Sequence, residues 1–375
     1  MTGLYIHIPF CRHKCRYCDF PSYGGVESYI PAYTEALCRE ISTSPREGLA
    51  VDTIYFGGGT PSLLTIPQIA SVLQAVTQHF VVDSHAEITL EGNPDSLDGD
   101  YLKQLRRLGI NRLSMGIQSF QPQLLHSLGR IHSRRQAVEA VEYAARAGFD
   151  NLSADLMYGL PGETLSTWQQ DLDQALLLHP EHLSAYHLIY EEDTVLWKLR
   201  EQHKVEEADE DLSVSLFSTL IDRLTSEGYD HYEISNFSLP GLYSRHNSSY
   251  WTEKKYLGCG PSAHSYNGVS RQWNVASLDT YIKGISAGTP VFEIEELDLY
   301  TRYNDFVITR IRTEWGMPLS KLRDEFGEKL YDYCLRMAAP HLKQGTLELV
   351  NDILKLTRKG IFISDGIMSD MLWTD

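Results

Sequence analysis

The segment His7-Ile-Pro-Phe-Cys-Arg-His-Lys-Cys-Arg-Tyr-Cys-Asp-Phe20 places Cys11, Cys15 and Cys18 in one short run spaced C-x3-C-x2-C. Three thiolates on one tight loop can bind three corners of a cubane iron–sulfur cluster, and no fourth cysteine stands nearby to close the last iron. An iron left open in this way suits a small chelating ligand with an amine and a carboxylate, such as the α-amino and α-carboxyl groups of a methionine-type molecule. A zinc site competes with this reading, but it wants four ligands, usually as separated pairs, and only His13 is offered from within the loop. A disulfide is the other alternative; it leaves one thiol over and needs an oxidising compartment. The first residues, Met1-Thr-Gly-Leu-Tyr-Ile-His7, carry no basic segment followed by a long apolar run, so a cytoplasmic protein is expected. Cys38, Cys259 and Cys334 are scattered singly and read as buried, inert thiols.

Outward from this loop, short β-branched or aromatic runs alternate with segments of helical period as far as about Tyr190, the signature of a parallel sheet wound by helices. The strands expected are Leu4–Ile8, Thr53–Phe56, Glu87–Leu90, Arg112–Gly116, Leu152–Met157 and Leu183–Ile189. Helices are expected near Ser28–Ile41, Ile66–Phe80, Gly99–Leu108, Arg134–Ala147, Leu165–Leu178 and Glu207–Glu227. Right-handed crossovers would close these units into a partial (β/α)6 TIM-like barrel, placed at residues 1–228. Residues 229–297 are aromatic and glycine-containing with only short strand-like pieces, and read as a connector covering the barrel. Residues 298–375 hold helical segments and a hairpin, Leu347–Val350 and Ile353–Leu356 about Asn351-Asp352, which together predict a C-terminal winged-helix-like α+β domain.

Unusual residues stand where each strand should end, the face on which barrels of this kind carry their sites. The first strand runs into the cysteine loop, the second into Gly57-Gly-Gly-Thr-Pro61 and the third into Glu91-Gly-Asn-Pro94. The fourth runs into Gly116-Ile-Gln-Ser-Phe120, and the fifth carries Asp155 and runs into Tyr158-Gly-Leu-Pro-Gly162. Without Cβ atoms, the glycine run lets backbone approach a ligand closely, although a strained turn would use the same residues. It matches neither a phosphate-binding P-loop nor the dinucleotide G-x-G-x-x-G pattern. Glu91 is placed for ribose hydroxyls, Arg130 for a carboxylate and Asp155 for a hydroxyl or amine; the bland alternative is an ion-pair network among the three.

The 375 residues include 50 acidic and 33 basic side chains, a formal charge of −17 that opposes non-specific attraction to nucleic acid or anionic lipid. The apolar run of Gln174-Ala-Leu-Leu-Leu-His179 is too short to span a membrane. In His246-Asn-Ser-Ser-Tyr-Trp251, the histidine ring is able to ligate heme iron, with Tyr250 and Trp251 offering flat faces to a porphyrin. A packed, hydrogen-bonded histidine is the commoner case, and tyrosine or Cys259 are alternative ligands.

Taken together, C-x3-C-x2-C, Gly-Gly-Thr-Pro and the strand-end residues resemble the radical S-adenosylmethionine (SAM) proteins, in the branch containing the oxygen-independent coproporphyrinogen III dehydrogenase and the heme chaperones. The resemblance runs from Leu4 to the tail. It implies that Cys11, Cys15 and Cys18 hold a [4Fe-4S] cluster, and that Tyr5, Gly58 and Glu91 contact the cluster-bound SAM. It also implies that Tyr17, Gly59, Thr60, Gln118, Arg130 and Asp155 line a second SAM. Family chemistry is reductive cleavage of SAM to methionine and a 5′-deoxyadenosyl radical. The dehydrogenase extends its motif to C-x3-C-x2-C-x-C, where this chain has Phe20, and carries a longer segment before the cysteines than the ten residues found here. The chain instead matches the H-N-x-x-Y-W motif associated with heme binding. The resemblance therefore implies a heme chaperone serving apo-hemoproteins such as those of the respiratory chain, with His246 as axial ligand. A cluster-dependent homodimer and peripheral contact with a membrane go with that reading, and coproporphyrinogen oxidation is the alternative.

Overall fold

The structure, a computed structural model, describes Thr2–Thr374. Six strands run parallel: β1 (Thr2–Ile8), β2 (Ala50–Gly58), β3 (Val81–Gly92), β4 (Arg112–Gln118), β5 (Leu152–Tyr158) and β6 (His182–His187). Between them lie α1 (Ile30–Thr43), α2 (Ile66–His79), α3 (Gly99–Arg107), α4 (Arg134–Arg146) and α5 (Leu165–Leu177), and α6 (Glu210–Ser226) follows β6. The helices begin where the sequence offers caps. Thr65 with Gln68 and Ser133 with Gln136 form capping boxes, and Asp98 accepts from the backbone of Asp100 and Tyr101. This is the partial barrel that the alternation predicts.

The outward faces of the strands are apolar. Leu4, Ile6, Ile8, Ile54, Phe56, Leu113, Met115 and Ile117 are fully buried against the helices, each burial contributing roughly 1.5–3 kcal/mol. Parallel strands covered on both faces usually read as continuous apolar runs. Here they alternate, and the inward face is polar. Register pairs Tyr5 with Tyr55, Tyr55 with Thr89, Glu91 with Ser114, Gly116 with Asp155, and Asp155 with Ser184 across the barrel interior.

Residues 229–297 extend the sheet at both edges. They supply β7 (Asp230–Glu233) and β8 (Asn236–Ser238) at one edge, and β9 (Tyr256–Cys259), β10 (His264–Tyr266), β11 (Ser270–Asn274) and β12 (Phe292–Glu296) at the other. The sheet thus has twelve strands in the order β12-β11-β10-β9-β1-β2-β3-β4-β5-β6-β8-β7. These edge strands have only three to five residues each, too few to announce a two-residue period. Helices α7 (Arg245–Trp251) and α8 (Leu278–Ala287) complete the segment.

The tail has its own core about Phe306, Leu322, Leu330 and Met371, built from α9 (Leu299–Ile311), a helical stretch α10 (Leu319–Gln344) and α11 (Ser364–Met371). The stretch α10 breaks at Gly327, whose φ of 79° a helix cannot hold. The small sheet comprises β13 (Met317–Pro318), β14 (Leu347–Val350) and β15 (Ile353–Leu356). Its hairpin turns through Asn351 and Asp352 with φ of 50° and 68°, the conformation a tight hairpin demands of both central residues. Among the described residues no helix is long and apolar enough to cross a membrane.

One ion pair ties tail to sheet through a carboxylate shielded from water. Glu233, 2% exposed, accepts from Arg312 Nε at 2.6 Å, from Asn236 Nδ2 at 2.6 Å and from the Ser235 amide at 3.0 Å. Removing one partner of a buried pair leaves an uncompensated charge. Arg312→Ala should therefore lower the unfolding free energy by on the order of 3 kcal/mol, whereas Arg358→Ala, which breaks the solvent-exposed pair with Asp222, should cost less than about 1 kcal/mol. Denaturant unfolding of both variants checks the contrast.

Candidate functional site

The cysteine loop leaves β1 and is fastened on both sides. Phe10–Cys11 pairs with Tyr23–Gly24, the Arg16 amide donates to Leu128 O, and the Leu196 amide donates to Arg16 O. Cys11 is buried while Cys15 and Cys18 are half-buried, and all three are free thiols. The glycine run lies directly beneath. The Gly59 amide donates to Ile8 O at 2.8 Å, and a Cβ on Gly59 would stand 2.6 Å from Phe10 O and 3.0 Å from Cys11 Sγ. Gly58 adopts a φ of 115°, and its amide donates to Glu91 Oε2 at 3.1 Å.

Arg130 reaches the same ring of strand ends. Its guanidinium donates to Cys15 Sγ at 3.4 Å, to Asn93 Oδ1 at 2.7 Å and to Gly116 O, while Nε is buried with no partner among the described residues. Thr60 Oγ1 lies 3.8 Å from Cys11 Sγ, and Tyr17 lies against Cys15 and Arg130. Gln118, at the bulge that interrupts the β4–β5 register, holds a φ of 68°. Tyr55 donates its phenol to Glu91 Oε1 at 2.7 Å, and Tyr5 stacks on Tyr55 at 6.2 Å between ring centroids. Burial pushes the Glu91 carboxyl up to about 7, against the opposing pull of the Tyr55 and Gly58 donors. Asp155 sits deeper, accepting from Ser114 at 2.9 Å and Ser153 at 2.9 Å, with burial again raising its pKa.

Glu91, Arg130 and Asp155 thus share one lumen, yet among the described residues none of them pairs with another. The ion-pair network that sequence leaves open is not formed. A cation facing these carboxylates is Arg112, 1% exposed, whose Nε and Nη1 lack partners among the described residues. Sequence reading passed over it. The signal was present, because Arg112 shares the two-residue period of Ser114, Gly116 and Gln118 and so shares their face.

His246 is elsewhere. Helix α7 lies at the N-terminal end of the strands, its first amides donating to Glu87. The His246 ring has no exposed surface, is hydrogen-bonded through Nδ1 to Thr53 Oγ1 at 2.8 Å and through Nε2 to Tyr250 OH at 2.9 Å, and stacks on Tyr55 at 5.0 Å. Both nitrogens that could ligate iron are engaged. The packed, hydrogen-bonded histidine is the arrangement found. Cys259, the other alternative, is a buried thiol raised well above its usual range by burial.

A profile of the radical SAM superfamily matches residues 5–175, and one of the HemN C-terminal domain matches residues 297–363. Heme chaperone HemW of Mycobacterium tuberculosis (strain CDC 1551 / Oshkosh) is 34% identical over 378 residues, covering 99% of this chain and 94% of that protein. HemW of Bacillus subtilis (strain 168) is 32% identical over 376 residues, covering 99% of each. The chain belongs to the HemW family of radical SAM proteins. Its fold is that of the Escherichia coli radical SAM enzyme coproporphyrinogen III oxidase (HemN), with a TM-score of 0.86 at 24% identity over 99% of this chain and 89% of that one.

Membership of the radical SAM superfamily implies a [4Fe-4S] cluster and SAM. The HemW-family loop fits such a cluster: three free thiols on one fastened turn, a guanidinium beside Cys15, and a glycine cradle that a single Cβ would fill. Gly59→Ala should displace Phe10 and Cys11, lowering stability by roughly 1–3 kcal/mol. Iron and sulfide bound per chain after anaerobic reconstitution should fall with it.

Desolvation lowers the His246 pKa to about 3, so the native ring stays neutral. Between that value and the ordinary ~6.5 the unfolded chain holds a proton that the native ring lacks, so stability falls as pH falls through this window. His246→Gln should reduce the dependence of unfolding free energy on pH between about 4 and 6 by close to one proton. An unchanged slope in guanidinium titrations would contradict the placement of the ring.

Proposed function

We propose that this chain is a heme chaperone, which binds heme and delivers it to apo-hemoproteins, those of the respiratory chain among them. The observation that carries this reading is similarity to HemW proteins over 99% of the chain, tail included. Phe20, in the place where the dehydrogenase carries a further cysteine, and the matched H-N-x-x-Y-W motif support it.

In this reading Cys11, Cys15 and Cys18 hold the cluster. When bound, it supplies one electron to the reductive cleavage of SAM. Tyr5, Gly58 and Glu91 take the SAM nearest to it, with Glu91 as acceptor for ribose hydroxyls. Tyr17, Gly59, Thr60, Gln118, Arg130 and Asp155 line a second SAM, where the Arg130 fork suits a carboxylate. Asp155, held by two serine hydroxyls, stands ready to accept from a further donor. The protein works in the cytoplasm, pairs with a second copy through the cluster, and meets membrane-bound clients from outside the bilayer.

Anaerobic incubation of the reconstituted protein with coproporphyrinogen III, SAM and a reductant, beside a heme titration followed by absorbance, tests the reading. Stoichiometric heme uptake, transfer to an apo-cytochrome and no protoporphyrinogen are expected. Turnover with release of carbon dioxide would replace the chaperone by the dehydrogenase.

A further inference from the structure

Where the edge strands β9–β12 meet β1, the structure holds a cavity of about 760 Å³, within the ~300–1,000 Å³ of pockets that enclose organic ligands. Its walls include Tyr5, Phe20, Tyr250, Tyr256, His264 and Trp273. Phe20 is 60% exposed, an aromatic face next to the cluster loop with nothing packed over most of it. Flat apolar rings around a cavity of this size suit a flat macrocycle. Resting on the chaperone reading, we infer that this cavity holds the heme and that the His264 imidazole, not His246, is its axial iron ligand.

The assignment follows by elimination among the histidines and tyrosines that face the cavity. His7 is committed through both nitrogens, to Tyr5 OH at 3.0 Å and to Pro21 O at 2.8 Å. The Tyr5, Tyr250 and Tyr256 phenols are raised in pKa by burial, which disfavours the phenolate that would bind iron. His264 is exposed on β10, opposite Trp273 in register, with the two rings stacked at 5.9 Å. Among the described residues neither of its ring nitrogens has a hydrogen-bond partner. Burial and Arg271 lower its pKa, so the ring offers a lone pair at neutral pH. His246 stands one layer behind the wall, bonded to Tyr250 OH. The H-N-x-x-Y-W motif acts on heme by positioning the Tyr250 ring.

The test is a heme titration of full-length protein, followed by absorbance and by low-temperature EPR of the ferric complex. His264→Ala should weaken heme binding at least tenfold and remove the nitrogen-ligand signature, with added imidazole restoring it. His264→Met should bind with a sulfur-ligand spectrum, and His246→Gln should keep the imidazole signature. Wild-type affinity and EPR in His264→Ala would overturn the assignment and leave the chaperone reading standing. Failure of the wild-type protein to take up heme at all would overturn both.

Discussion

A polar group taken out of water needs a partner, and the inward face of this barrel is made of such groups. Tyr55 answers Glu91 and Ser114 answers Asp155 across adjacent strands, Ser153 answers Asp155 along its own strand, and Thr53 finds its partner in His246. The outward face meets the ordinary demand of apolar packing against helices. The same alternating strand thereby makes a stable shell and a lumen that can host polar ligands. Arg112 is the extreme case: a buried guanidinium with two nitrogens unpartnered among the described residues, facing the carboxylates of Glu91 and Asp155 across the lumen.

That dependence explains which parts of the fold were legible in sequence. The six parallel strands and their helices follow from periods long enough to read, and the hairpin at Asn351-Asp352 follows from turn chemistry. The polar lumen was written in the same strands, but alternation reveals only that two faces differ. It does not say that the polar face closes on itself instead of meeting solvent, so Arg112, Glu87 and His182 drew no notice. Among the edge strands β7–β12, β8 joins β6 and β9 joins β1 across long stretches of sequence while the others pair with one another, and their few residues carry no period.

Motif and place are separate kinds of information, as His246 illustrates. A motif reading places a histidine beside two aromatics and infers a ligand. The fold puts that histidine at the barrel floor, stacked on Tyr55 with both nitrogens occupied. What the motif secures is geometric. Glu87 caps the start of α7, His246 anchors the helix beneath the lumen, and Tyr250, one turn on, turns its ring to the cavity wall. Trp251 faces the other way, under the Arg312 guanidinium at 4.2 Å, where it joins the packing that attaches the tail.

Strand β1 divides the interior. On its β2 side, Tyr5 stacks on Tyr55 and closes the corner where Glu91 holds the Gly58 amide. On its β9 side the same ring faces the aromatic cavity. His7 completes the partition, bonded to Tyr5 and, through Pro21 O, to the arm that carries the cysteine loop back to Tyr23. A ring shift at Tyr5 therefore cannot alter one compartment alone: its stack lies in the first, its exposed face in the second, and its hydroxyl is tied to the loop between them. Whatever fills the cavity bears on the residues that hold the cluster loop, through two hydrogen bonds rather than through any long path across the fold.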